Sequence, residues 1–286
     1  MEFLVDIASR IKQLMQPFSI SPFTLIKSVF VHRNLIRVLI RREVIGRYQG
    51  SVLGIVWSFF TPALMLVVYT FVFSVVFKAR WAGGGDSKSE FALVLFAGLL
   101  VFNLFSECVN RAPGLVLANT NYVKKIVFPL EILPLVSLGA ALFHTTVSLL
   151  AWLVFYVILF GVPPATLFLL PLVLFPLVLL TLGISWFLAS LSVYLRDIGQ
   201  LTGIITTALL FLSPIFYPLS TLPPGYQVAL QANPLTLPVE LARDMLFWGR
   251  MPHWSNLATY SAVSMLIAWS GFAWFQRTRK GFADVI

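Results

Sequence analysis

The sequence predicts an all-α integral membrane protein with six transmembrane helices, an N-terminal amphipathic helix at the lipid surface and short re-entrant helices before the last span. Three observations predict it. Hydrophobic residues make up 59% of the 286 and charged residues only 11%, and the mean hydropathy is +0.90, too apolar for one globular core. Apolar runs fill most of the chain after Ser51, and they reach the roughly 20 helical residues that a bilayer core of about 30 Å requires. Alternating polar and apolar blocks of membrane-strand length are absent, which argues against a barrel.

Residues 1–33 read as a cytoplasmic extension without an assigned role. It opens with Glu2 and Asp6 and lacks a cleavable apolar core, so no signal peptide is evident. Residues 34–51 follow as the amphipathic helix. Leu35, Ile36, Val38, Leu39 and Ile45 fall on one arc, with Arg33, Arg37, Arg41 and Arg47 on the other. Arg42 lies inside the apolar arc, so it must snorkel or meet an acid such as Asp197 or Glu43 of a neighbouring copy. The helix then runs through a Tyr48-Gln49-Gly50-Ser51 hinge directly into the first span.

Spans are expected near 52–77, 91–108, 132–160, 167–191, 201–217 and 256–275, within a membrane domain of residues 52–276, followed by a tail over 277–286. The fifth is barely long enough, contains Pro214 and ends at Pro218. The stretch after it, 219–254, is rich in Leu, Pro and aromatics, with a helix expected around Val239 to Trp248. A soluble loop would be more polar, so this stretch is expected to dip back into the outer leaflet. Irregular backbone at that depth needs protein or a water-filled path beside it, which locates a gate on the external side.

Charge sets the orientation. The amino tail (Arg10, Lys12, Lys27, Arg33, Arg37, Arg41, Arg42, Arg47), the second loop (Arg111, Lys124, Lys125), the fourth (Arg196) and the carboxy tail (Arg277, Arg279, Lys280) carry fifteen basic residues. The opposite side carries five: Lys78, Arg80, Lys88, Arg243 and Arg250. The positive-inside rule therefore puts both termini in the cytoplasm. The net charge of +9 sits beside spans rather than on a soluble domain, so lipid headgroups are the expected partner rather than nucleic acid.

Several chemistries are excluded or disfavoured. No phosphate-binding loop is present, so the chain does not hydrolyse ATP itself. Cys108 is a single thiol without a disulfide partner. His32, His144 and His253 lie far apart and read as packing or interfacial residues, with no metal site, no catalytic set and no cofactor on this chain. Only His144 sits well inside a span, with Glu107 and Glu131 near cytoplasmic ends, so a proton-coupled carrier would lack coupling groups. Aromatics crowd the first span, and Trp57, Phe59, Phe60, Tyr69, Phe71 and Phe73 are candidates to line a passage where flat rings stack on sugars. Lipid-facing packing is the alternative for each.

RREVIGRYQGSVLGIVW before the first span, NYVKKIVFPLEILP (121–134) before the third, YLRDIGQ (194–200), SPIFYP (213–218) and a later NPL (233–235) stand in matching order over about residues 30 to 280. In this the chain resembles the permease subunit of type-2 ABC exporters for cell-surface polysaccharides, the O-antigen, teichoic acid and capsule group. The resemblance implies a homodimer in a bacterial inner membrane, joined to two copies of a separate ATPase that binds ATP and Mg, exporting a lipid-linked glycan. It also implies coupling contacts at Leu115, Asn119, Asn121, Tyr122, Lys124 and Lys125, with a second at Arg196 and Asp197. The helix carrying Arg37, Arg41, Arg42, Arg47 and Tyr48 would touch the ATPase, and its arginines would pair with the glycan carrier's pyrophosphate. The external gate would involve Pro214, Tyr217, Pro223, Pro224, Asn233 and Pro234.

Overall fold

The computed structural model describes residues 19–72, 88–123 and 128–286. Phe73, Lys124 and Lys125 lie outside them. Helices α1 (Pro22–Val31) and α2 (Arg33–Tyr48) precede α3 (Trp57–Tyr69), and α4 (Lys88–Arg111) leads into two single turns, α5 (Gly114–Leu117) and α6 (Thr120–Val123). Then come α7 (Leu133–Phe160), α8 (Leu170–Tyr194), α9 (Ile198–Leu212), α10 (Pro224–Gln231), α11 (Thr236–Arg243), α12 (Trp254–Thr278) and α13 (Phe282–Val285).

Five stretches are long and apolar enough to cross a membrane: Gly54–Val72, Ser89–Arg111, Leu130–Phe160, Ala165–Tyr194 and Trp254–Val285. The fifth expected span is shorter. α9 has 15 residues, about 22 Å at the helical rise, and stops because Ser213 turns extended at ψ 147°, the conformation that a following proline favours. The stretch beyond it holds two short helices, α10 and α11, with a π-helical turn at Asp244–Trp248 where a single helix was expected near 239–248.

α4 forms the centre of the bundle, mostly buried and packed on α7, α8, α9 and α11. Buried indoles fasten its surroundings by their N–H groups, Trp152 to the Leu93 carbonyl at 2.9 Å and Trp186 to the Glu131 carbonyl at 3.0 Å. α8 and α12 approach backbone to backbone at Gly183 and Gly271, where a Cβ on either glycine would overlap main-chain atoms of the other helix.

The amphipathic helix α2 corrects the single arc read from sequence. Leu35, Ile36, Leu39 and Ile40 pack on Ile132 and Val136, with Val44 also buried, and Ile40 fits where Gly139 lacks a Cβ. Val38 and Ile45 are exposed. The arc divides by what covers it: Leu35, Ile36 and Leu39 dock on protein, while Val38 and Ile45, at the edge of the arc, face outward. Gly50 (φ 84°) and Gly54 (φ 52°) then turn the chain into α3, a conformation that only glycine adopts readily.

Candidate functional site

A groove of about 780 Å³ opens between α2, α3, α4 and α7. From α4 it takes Asn103, Ser106, Glu107, Asn110 and Arg111, spaced three and four residues apart and hence on one stripe. Ser58, Thr61 and Tyr69 of α3 face them, with His144 and Ser148 of α7 and Arg42, Glu43, Arg47 and Tyr48 of α2 closing the end. Polar side chains on the most buried helix of an apolar bundle are costly unless they serve a passage. The expected aromatic lining is sorted differently: Tyr69 borders the groove, whereas Trp57, Phe59, Phe60 and Phe71 are exposed and do not border it. Helical spacing explains the split, since those four sit on other faces of α3 from Ser58, Thr61 and Tyr69.

One end of the groove holds a charge network. Arg47 donates to Glu107 at 2.7 Å, and His144 Nδ1 stands 2.9 Å from the same carboxylate. Arg111 pairs with Glu43 and lies 4.0 Å from Glu107. His144 is therefore more than a packing residue, although its Nε2 is buried without a partner. The sequence separation of Glu107 and His144 hides a pairing that the α4 and α7 contact creates. Burial pushes the Tyr48 phenol above its ordinary range, with Arg47 opposing and Glu107 adding to the rise, so it presents a neutral hydroxyl. Arg42 is exposed, as a snorkelling side chain would be, and donates to the Tyr122 hydroxyl at 3.2 Å. Arg37 and Arg41 are exposed and make no ion pair among the described residues. No metal-binding cluster occurs among the described residues.

Residues 34–247 match the family described as ABC-2 type transporter. The chain belongs to that family. Its relatives include the O-antigen export system permease protein RfbA of Myxococcus xanthus, 28% identical over 92% of this chain and 99% of that protein. RfbA of Klebsiella pneumoniae is 23% identical over 88% of this chain and 95% of that protein. The polysialic acid transport protein KpsM of Escherichia coli is 24% identical over 87% and 95% respectively.

In this ABC-2 chain the loop after α4 folds as the two turns α5 and α6. Val116 is buried, Asn119 caps back onto the Leu115 carbonyl at 2.8 Å, and Tyr122 stacks on Phe128 with centroids 4.1 Å apart. Asn121 is exposed. Ser192 donates to the Pro113 carbonyl at 2.6 Å and Thr206 to Asn110 at 2.9 Å, so the loop is tied to the segment carrying Arg196 and Asp197. Those two are exposed, and no ion pair joins them.

The turn after α9 is clamped by residues that the motifs only half reveal. Asn233 donates to the Leu212 carbonyl at 3.2 Å and to Ser213 at 3.0 Å, and accepts from the Leu235 N–H at 2.9 Å. Arg243, missed by sequence and counted only as an external charge, is 2% exposed. It donates to the carbonyls of Pro214, Ile215 and Val94. Gly98 leaves the room, since a Cβ there would lie 2.8 Å from Nη2. The signal was available: two carbonyls beyond a helix end broken by proline need donors from elsewhere. Tyr217 donates to the Phe211 carbonyl at 3.1 Å, Pro223 and Pro224 start α10, and Pro234 is exposed. At the other end, Arg279 pairs with Glu131 at 2.6 Å and donates to the Phe128 carbonyl at 2.8 Å, while Ser28 donates to Glu131 at 2.9 Å. This joins α1, the segment before α7 and the end of α12.

Proposed function

We propose that this chain is the membrane subunit of an ATP-driven exporter that moves lipid-linked polysaccharide, O-antigen foremost, across a bacterial inner membrane. The observation that carries the reading is near end-to-end similarity to an O-antigen export permease, at 28% identity across 99% of that protein. The groove supports it: amides and hydroxyls at Asn103, Ser106, Ser58 and Thr61 suit sugar hydroxyls, which exchange one hydrogen bond for another as a polymer advances. ATP and Mg belong to a separate ATPase, present in two copies, because this chain carries no phosphate loop.

Two copies of this chain pair in the working exporter. The exposed apolar side chains of α3 (Val67, Phe71) and α9 (Ile204, Phe211) support pairing through these helices. With both termini cytoplasmic, as charge bias requires, ATP binding draws the loop at Leu115 to Tyr122 and the Arg196–Asp197 segment together. The motion shifts α4, and the clamped external turn opens. Similarity to the polysialic acid transport protein KpsM, at 24% identity over 95% of that protein, favours a capsule-type polysaccharide as the second reading, with teichoic acid as a further cargo class. A drug or simple-lipid exporter and a glycan-modifying enzyme are the competing classes.

Deletion of the gene tests the reading. The expected result is loss of surface glycan with polymer accumulating inside, restored by the chain together with its ATPase. Intact surface glycan with lost drug efflux would refute it, and failure to copurify with a P-loop ATPase would favour the enzyme.

A further inference from the structure

The charges that line the groove are gathered at one end of it. Arg42, Glu43 and Arg47 come from α2, Glu107 and Arg111 from the last turns of α4, and His144 stands beside Glu107. Most of this charge is already matched, Arg47 with Glu107 and Arg111 with Glu43. Three guanidinium groups against two carboxylates leave one positive charge in excess, at Arg42, whose partner is the uncharged Tyr122 hydroxyl.

The rest of the groove carries no charge among the described residues. From Phe96 to Ser106 the α4 lining extends over ten residues, about 15 Å at the helical rise, and presents only apolar, amide and hydroxyl groups, with Thr61 of α3 facing it. Asn103 is exposed on a helix that is otherwise mostly buried. Among the described residues neither its side-chain amide nor the Thr61 hydroxyl is engaged in a hydrogen bond, so both are available to a guest. A sugar hydroxyl entering here exchanges water for partners of equal kind. A carboxylate loses its hydration and meets no countercharge, which is far more costly.

We propose that the groove selects its glycan by charge: it admits a polymer of neutral sugars, accommodates one anionic group at the α2 end, and rejects a polymer with an acidic sugar in every repeat. The inference rests on the groove being the path of the glycan, as proposed above, and narrows the cargo within that reading. Selection of this kind works by exclusion, because the uncharged stretch penalises the wrong polymer more than it rewards the right one.

The test uses the full-length chain copurified with its ATPase and reconstituted in nanodiscs. ATP hydrolysis is titrated with two undecaprenyl diphosphate-linked oligosaccharides of equal length, one of hexoses alone and one with a hexuronic acid in each repeat; the shared carrier cancels its own charge. Half-maximal stimulation is expected at a concentration at least about tenfold lower for the neutral glycan, the factor equivalent to about 1.4 kcal/mol. Asn103→Lys places a cation in the uncharged stretch and should narrow that ratio by about tenfold, within the range of one charge-assisted hydrogen bond. Asn103→Gln should keep the wild-type ratio, which separates charge from any general effect of substitution. Equal stimulation by the two glycans, preference for the acidic one, or a ratio unmoved by Asn103→Lys would each overturn the selection by charge while leaving the exporter reading in place. Stimulation by neither glycan would refute the exporter reading itself, and the selection with it.

Discussion

Gly98 and Arg243 offer a substitution whose sign depends on its neighbour. Alanine at a helical glycine gains about 1 kcal/mol of helix propensity, and Gly46 in α2, with nothing within 4 Å of its would-be Cβ, should show that gain as Gly46→Ala. At Gly98 the same methyl would lie 2.8 Å from Arg243 Nη2. The guanidinium is held by three carbonyls and cannot retreat without losing at least one hydrogen bond from a charged donor, about 1.5–3 kcal/mol. Gly98→Ala should therefore destabilise by about 0.5–2 kcal/mol net. Arg243→Leu strands the Pro214 and Ile215 carbonyls and should cost about 3–5 kcal/mol. In that background Gly98→Ala meets no guanidinium and should turn stabilising. Unfolding of the purified protein in mixed micelles, titrated with SDS, reads all four variants of the cycle. A Gly98→Ala that stabilises wild type as Gly46→Ala does, or shifts both backgrounds equally, would refute the clamp.

Other perturbations follow from burial and pairing. Glu131→Gln or Arg279→Met alone should cost about 3–5 kcal/mol, since each strands a buried charge, and the double variant should cost less than their sum in the same unfolding assay. Gly271→Val should abolish detergent-stable protein, because its side chain would overlap the Gly183 backbone; a monodisperse variant in gel filtration would contradict the close approach. Glu107→Gln releases Arg47, whose side chain is 54% exposed, so unfolding should move by no more than about 1 kcal/mol while glycan export in a complemented strain changes. Arg37→Gln with Arg41→Gln should leave stability within about 0.5 kcal/mol and lower both export and substrate-stimulated ATP hydrolysis. If neither falls, these arginines serve topology alone.

Hydropathy exposed the spans because each is a local property of its own residues, and the proline at 214 announced the short α9 for the same reason. Pairings between distant segments were not legible. Glu107 with His144 and Glu131 with Arg279 join residues from different segments, and nothing in the spacing of either partner encodes the meeting; for the turn after α9 the need for donors was legible, but not that Arg243 supplies them. The α2 arc failed for a related reason. Periodicity reports that residues such as Val38 and Leu39 are apolar, yet it cannot say that one docks on α7 while the other faces outward. The aromatic candidates divide by face, which abundance alone does not report: the groove takes the hydroxyl-bearing side of α3 with Tyr69, and Trp57, Phe59 and Phe60 lie on its other faces.

α4 links the two ends where these pairings occur. Gly98 and the Val94 carbonyl seat Arg243 toward the turn after α9, and Glu107, Asn110 and Arg111 meet α2, α7 and α9 at the other end. Nine residues of continuous helix separate Gly98 from Glu107, about 13 Å at the helical rise, and the segment is packed nearly all round. A helix so enclosed bends little, so displacement at one end appears at the other as translation or rotation. Spatial intermediacy alone does not make this a transmission path. What distinguishes it is the asymmetry of its restraints. The Gly98 end is fixed by three hydrogen bonds from one buried guanidinium, whereas the groove end is fixed by ion pairs that are partly open to solvent. Partly exposed ion pairs exchange partners at small cost; a buried guanidinium with its carbonyls does not. The groove end is therefore the one that an arriving charged group can reset.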